Sequence, residues 1–276
     1  YDKTQTENTD SLVDMGIAVH YEDSMSHVDA VFLDYQTTLV VYTPAIPNNH
    51  EELSYFKSQK NFQVLKRAEV LGLITENTFC LAVAGTHGKT TTTSILGHLL
   101  YECDVKLTAF LGGISENYHS NLILKGTDVS VVEADEYDRS FLHLNPTIAC
   151  ITSVEADHLD IYESEDIFLE AFVQFSKKVS NELIVAYGLP ISGLTYGIEV
   201  AADYKAFNLK ITEKGYRFDL TTPNREFKDI FFNQMGIHNV SNALGAVAMA
   251  EQAGIDINKS LLALESFPGV YRRMNL

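Results

Sequence analysis

The sequence predicts an α/β fold: a doubly wound, mostly parallel sheet with a small antiparallel sheet and a partial Rossmann-like N-terminal domain. Three observations carry this. The strand candidates are continuous apolar runs rather than alternating ones, as strands buried on both faces require. They alternate with helical patterns, which calls for crossovers between parallel strands. One apolar run leads directly into a glycine-rich turn that opens a helix.

In chain order, residues 1–75 carry short α/β signals. Leu39–Tyr42 reads as a strand, closed by Thr43-Pro44-Ala45-Ile46-Pro47, where two prolines impose an extended turn. Helices are expected at Glu51–Ser58 and Arg67–Ile74. From residue 76 to 190, strands are expected at Phe79–Ala84, Leu107–Leu111, Val129–Ala134, Ile148–Thr152 and Leu183–Ala186. The helix after the first runs from about Lys89 to Cys103, with Ile95, Leu96, Leu99, Leu100 and Cys103 on one stripe. Ala206–Ile211 and Tyr216–Leu220 alternate about a Lys214-Gly215 turn and read as a small antiparallel sheet with one solvated face. Residues 237–265 return to helix, with Ala243, Leu244, Val247, Ala248 and Ala250 on an apolar face. The expected domains are 1–75, 76–270 and a hinge at 271–276.

The composition bounds the function. The chain has 276 residues, 46% of them hydrophobic, enough for one large domain or two smaller ones. Twenty basic against 37 acidic residues leave a formal net charge of −17, so the long-range field opposes nucleic acid and anionic membranes. A nucleotide needs only a local pocket of donors and stays open. Cys80, Cys103 and Cys150 lie in apolar runs with no CxxC pattern, as buried thiols in a reducing compartment do. With no apolar stretch near ~20 residues and no signal peptide, the expected location is cytoplasmic. The chain opens at Tyr1 without an initiator Met and stops abruptly after Val270–Leu276, which is expected of a piece of a longer chain.

Five segments carry chemistry. Gly85-Thr86-His87-Gly88-Lys89-Thr90-Thr91 sits between a strand and a helix, the setting of a phosphate loop. Glycines let backbone N–H groups close on phosphate, the helix N-terminus adds partial positive charge, Lys89 supplies a cation, and Thr90 a hydroxyl for Mg²⁺. The general pattern asks for glycine at position 83, where Val83 stands, so the loop is two residues shorter; a plain glycine-rich turn is the alternative. Val131–Glu136 ends a buried strand at the edge where ligands of open sheets sit, although an acidic solvated turn fits as well. Glu155–Asp160 follows another buried strand and places His158 among carboxylates, either as an exposed imidazole or as a cation ligand. His238–Ala243 opens a helix, where Asn239 or Ser241 could be a cap, and Phe267–Arg273 ends in two arginines that could be surface charge.

Taken together, these segments resemble the Mur ligases, the ATP-dependent amide-forming enzymes of peptidoglycan synthesis. The residues are Gly85–Thr93, EADEYDRSFLHL at Glu133–Leu144, EADHLDIY at Glu155–Tyr162, His238–Ala243, and FPGVYRR at Phe267–Arg273. Tyr42–Pro47 and Lys66–Glu69 fit the same family's first domain, and the short loop is the family's own form. The resemblance implies a ligase that joins L-alanine to the carboxylate of UDP-N-acetylmuramate through an acyl phosphate, with ATP and Mg²⁺. It implies ATP contacts from Gly85, Thr86, His87, Gly88, Lys89, Thr90, Thr91, His238, Asn239, Asn242 and Arg272. It implies metal ligands Thr90, Glu133 and His158, catalytic roles for Lys89, Glu133 and His158, and nucleotide-sugar contacts from Thr43, Pro44 and Ala45. Lys89 is expected to face solvent, and Glu133 and His158 to face it across one sheet edge. A carbamoylated lysine found in some relatives has only Lys177 and Lys178 as candidates here.

The resemblance further implies a glycine-rich sugar loop before Tyr1 and a third domain after Arg273, so this chain alone is expected not to ligate. Three other readings compete. One is a sister ligase that recycles muramyl tripeptide; its metal segment reads closer to EFDHAD than to Glu155-Ala156-Asp157-His158. Another is folylpolyglutamate synthetase, which usually has Asn where His87 stands. The last is an ATP-binding switch that makes no amide.

Overall fold

A computed structural model describes residues 1–115, 120–155, 162 and 164–269. They fall into two compact units, Tyr1–Val70 and Leu71–Leu276.

In the first unit, helix α1 (Glu7–Asp14) opens with a reciprocal capping box between Thr6 and Thr9. Strands β1 (Leu39–Tyr42) and β2 (Gln63–Lys66) pair in parallel, Leu39 opposite Gln63, across helix α2 (Glu51–Ser58). These bounds match the sequence reading for β1 and α2. The N–H of Leu53 bonds to the His50 ring, and the Asp23 carboxylate takes the Glu51 N–H at 2.9 Å, so both cap α2.

Helix α3 (Arg67–Thr75) crosses the division and leads into β3 (Phe79–Ala84). Then follow α4 (Lys89–Glu102), β4 (Leu107–Ser115), β5 (Ser120–Leu124), β6 (Val129–Ala134), β7 (Ile148–Ile151) and α5 (Glu165–Ser176). The remainder is β8 (Glu182–Ala186), β9 (Leu194–Ile198), β10 (Tyr204–Thr212), β11 (Gly215–Thr221), β12 (Glu226–Phe232), α6 (Ile237–Gln252) and α7 (Ile257–Glu265). One sheet holds β3 to β12 in the order β12-β11-β10-β9-β8-β7-β3-β6-β4-β5. From β10 to β4 every neighbouring pair is parallel.

The apolar runs are continuous because the strands feed two cores. Leu81, Val83, Val131, Ile148 and Cys150 point to one face, under α4, α6 and α7. Cys80, Ala82, Ala84, Val132 and Ala149 point to the other, against Phe141 and the α5 residues Phe168, Phe172 and Phe175. Helix α4 is buried on more than the expected stripe: Thr90, Thr92, Thr93 and Ser94 are covered along with Ile95–Leu100, because α6 and α7 cover its outer side.

Three details differ from the sequence reading. The antiparallel strands are present but continue the parallel sheet: β10 pairs with β9 on one side and β11 on the other, and β12 adds a further strand. The helix expected over residues 237–265 is two helices, broken at Gly254 (φ 82°) and restarted by the Asp256 cap. Strand β9, strand β5 and the extension of β4 beyond Leu111 carried no signal strong enough to be read.

Candidate functional site

Strands β3, β6 and β7 are parallel neighbours, so their carboxyl ends share one edge. The order reverses there. From β3 the chain passes through α4 to β4 on one side, and from β6 it returns to β7 on the other. Such a switch point opens a crevice outside the strand ends. The turn after β3, the acidic run after β6 and Thr152–Glu155 after β7 all meet at it.

The turn is fixed by the end of β7. Thr86 N–H donates to Ser153 O at 3.2 Å and His87 N–H to Ser153 Oγ at 2.8 Å. The Thr152 hydroxyl faces Ala84 O at 3.1 Å and His87 O at 2.5 Å. Gly85 has φ 134°, and a Cβ there would stand 2.2 Å from Thr152 Oγ1 and 2.8 Å from Ser153 N. Gly88 has φ 83° and is the cap of α4, with Asn242 Oδ1 at 2.5 Å from where a Cβ would be. Both positions demand glycine. The first intrahelical bond runs from Thr92 N–H to Gly88 O. The N–H groups of Gly88 to Thr91 are therefore the end of α4 that an anion can use, whereas those of Thr86 and His87 are engaged by Ser153.

Lys89 does not face solvent. Its side chain is 12% exposed, and its Nζ donates to Gly85 O at 2.7 Å and to both Glu136 oxygens, at 3.0 and 2.7 Å. The Glu136 side chain is 1% exposed. Its main-chain oxygen accepts the Arg139 N–H at 3.0 Å and the hydroxyl of buried Tyr162. Burial, together with the Glu136 charge, pushes the Tyr162 phenol up to about 12, so it stays a donor. Next along α4, the buried Thr90 hydroxyl donates to Glu133 at 3.0 and 2.9 Å. Glu133 fits because Gly112 of β4 has no side chain: a Cβ there would lie 1.9 Å from Glu133 Oε2.

A cavity of about 820 Å³ opens beside the turn, within the usual size for small-molecule sites. It is lined by Thr86, His87, Gly88 and Thr91 from the loop and α4, and by His238, Asn239 and Asn242 from α6. Two helix N-termini thus face one space. The Asn239 amide also donates to Met235 O at 2.8 Å, and no side chain caps α6, whose N-cap is Gly236.

The other expected residues fall elsewhere. Thr43 and Ala45 line a separate cavity of about 630 Å³ within the first unit, with Pro44 between them in the turn after β1. Lys177 and Lys178 end α5 just before Ser180, whose N–H bonds to Pro146 O ahead of β7. That is the opposite edge of the sheet, so neither lysine is near the loop. His158 and Arg272 lie outside the described residues. Among the described residues no three His, Cys, Asp or Glu side chains form a metal cluster, and no helix is long and apolar enough to cross a membrane.

Sequence reading missed Glu136, Gly112, Thr152 and Ser153. Glu136 stood inside the quoted acidic run, Thr152 and Ser153 lie just beyond the end of β7 on the edge already suspected, and Gly112 lies inside β4. Position on that edge was the only available signal for Glu136, Thr152 and Ser153.

Comparison with known proteins gives a consistent picture. The Mur ligase middle domain matches residues 83–250. A UDP-N-acetylmuramate–L-alanine ligase of Flavobacterium psychrophilum is 51% identical over all of this chain and 61% of its own length. Another, from Flavobacterium johnsoniae, is 48% identical over the same shares. The chain therefore spans about 61% of the length of these curated relatives. Among solved structures, UDP-N-acetylmuramate–alanine ligase of Thermotoga maritima superposes with a TM-score of 0.86 at 28% identity, covering 99% of this chain and 63% of that one. A UDP-N-acetylmuramate:L-alanyl-γ-D-glutamyl-meso-diaminopimelate ligase of Neisseria meningitides shares the fold, with a TM-score of 0.81 at 24% identity over 98% of this chain and 90% of that one.

Proposed function

The chain belongs to the Mur ligase family through its middle domain, and on that premise we propose that its protein is an ATP-dependent ligase of peptidoglycan synthesis joining L-alanine to the carboxylate of UDP-N-acetylmuramate. The observation that carries the reading is the pairing of Lys89 with Glu136 and Thr90 with Glu133 at the start of α4, whose neighbouring residues Gly88 and Thr91 line a cavity that the start of α6 also lines. Identity of 48–51% to alanine ligases supports the choice of amino acid.

A carboxylate is a poor acyl donor at neutral pH, and phosphorylation to an acyl phosphate makes it a good one. What a protein can supply is alignment and charge neutralisation. In this reading the N–H groups of Gly88 to Thr91 hold the terminal phosphates, and Lys89 neutralises the transferring phosphoryl group. His238, Asn239 and Asn242 flank the nucleoside, and Thr43 and Ala45 contact the nucleotide sugar in the first unit. The Thr90 hydroxyl and Glu133 carboxylate are hard oxygen donors within 3.0 Å of each other. That set suits a magnesium ion completed by phosphate oxygens and water. Bound magnesium would withdraw charge from the phosphates. Third-domain contacts, the His158 and Arg272 roles and a cytoplasmic location belong to the same proposal.

Phosphate release is the test. The full-length protein is given ATP, Mg²⁺ and UDP-N-acetylmuramate with L-alanine, glycine, or the tripeptide L-alanyl-γ-D-glutamyl-meso-diaminopimelate. Release that depends on L-alanine is expected. Dependence on the tripeptide would make it the recycling ligase, and release indifferent to any amine would leave only a nucleotide switch.

A further inference from the structure

Lys89 is already fully engaged. An ammonium has three N–H donors. In this chain three acceptors take them: Gly85 O at 2.7 Å, and Glu136 Oε1 and Oε2 at 3.0 and 2.7 Å. The side chain therefore folds back over the turn whose helix end would receive phosphate. A phosphate oxygen can gain Lys89 only by displacing one of these acceptors.

Glu136 is poorly placed to withdraw. Its side chain is buried, and its main-chain oxygen is held by Arg139 N–H and the Tyr162 hydroxyl. The turn that follows carries Asp138 and Arg139 at φ 51° and 55°, a left-handed pair of non-glycine residues that persists only where surrounding bonds fix it. Lys89, at the first position of α4, has the long flexible side chain. Any exchange is thus a movement of the lysine away from a fixed carboxylate.

We propose that Glu136 is a positioning residue that acts as an internal stand-in for phosphate: it holds Lys89 over the loop and yields it when terminal phosphates arrive. This rests on the nucleotide reading above. Separating a buried carboxylate from its cation is costly, so the pair lowers nucleotide affinity while keeping the lysine at the loop. Tyr162 serves the same end indirectly, by anchoring the Glu136 backbone.

The test is calorimetric titration of the whole chain with the magnesium complex of a non-hydrolysable ATP analogue. Four forms are compared: wild type, Glu136→Gln, Lys89→Met and the double variant, each checked by thermal melting. Glu136→Gln is expected to bind roughly tenfold tighter than wild type, the scale of one charge-assisted contact. In the Lys89→Met background the same change is expected to alter affinity less than twofold. Equal tightening in both backgrounds would mean simple charge repulsion and would overturn the proposal, as would unchanged or weaker binding by Glu136→Gln. If Glu136→Gln does not fold, Tyr162→Phe carries the test: two- to threefold tighter binding is expected, and none or a loss overturns the idea. Failure of wild type to bind at all would count against the nucleotide reading itself, a separate and distinguishable result.

Discussion

The carboxyl edge of the parallel strands and the antiparallel extension at β10–β12 both set polar side chains over a hollow, and they use them in opposite ways. At the edge, Glu136 and Thr90 are buried, their partners Lys89 and Glu133 are partly buried, and the two pairs meet at the start of α4. In the extension, Asn208, Lys210, Arg217, Asp219 and Asp229 border a hollow of about 560 Å³, but the Arg217–Asp229 pair is exposed, at 43% and 73%. Its contacts close a backbone irregularity. Asn208 and Asp229 have φ 55° and 57°, and Asp219 takes both the Asn208 amide at 2.8 Å and the Asp229 N–H at 2.9 Å, beside the breaks in register of β10–β11 and β11–β12. Size and polarity therefore do not identify a site. Burying charge where several strand ends meet is costly and needs a reason beyond the fold; exposed pairs that mend a bulge need none.

The contrast is sharpest at the two cations. Lys89→Met is expected to lower L-alanine-dependent phosphate release by about 10²–10³-fold, the usual loss when a charge-stabilising donor is removed. Arg217→Met is expected to leave it unchanged. Equal effects of the two would break the comparison.

Next in size, Gly85→Ala forces a side chain into Thr152 and Ser153 at φ 134°. Thermal and denaturant unfolding should show a loss of about 1–3 kcal/mol, with weaker nucleotide binding because the turn can no longer close on β7. Gly188→Ala is a useful contrast: it has φ 93° but nothing within 4 Å of its would-be Cβ, so it should strain the backbone without touching nucleotide affinity.

Smaller again, Arg217→Ala should cost less than about 1 kcal/mol in urea unfolding, as exposed pairs do. The smallest effect is in acid. Hydrogen bonds from Asn208 and the Asp229 N–H hold Asp219 below the ordinary carboxylate value of 3.8. A lowered folded value means its contribution is present above that ordinary value and is lost as pH falls through the folded one. The gap in melting temperature between wild type and Asp219→Asn should therefore be open at neutral pH and close in acid. A gap that widened in acid would contradict the role given to Asp219.

Much of this was legible in residues. Continuous runs such as Phe79–Ala84 and Val129–Ala134 announced strands buried on both faces, and the turn at Gly85–Gly88 announced itself by its neighbours. What was not legible depended on register. Val83 lies beside Glu133 across β3 and β6, so Glu136, three residues further, has left the sheet and can reach Lys89. Nothing local separates it from the other acids of that run. Gly112 matters only because β4 lies next to β6 and faces Glu133. Strand β9, Leu194–Ile198, is short and contains a glycine, and its pairing with β8 and β10 supplies what its own sequence lacks.

The most direct test of the central claim is a crystal structure of the chain with a non-hydrolysable ATP analogue and Mg²⁺. The account predicts terminal phosphates on the N–H groups of Gly88 to Thr91, Lys89 Nζ moved from Glu136 onto a phosphate oxygen, and the nucleoside between the loop and the start of α6. Phosphates bound at another edge of the sheet, or at the β10–β12 hollow with the Lys89–Glu136 pair untouched, would contradict it.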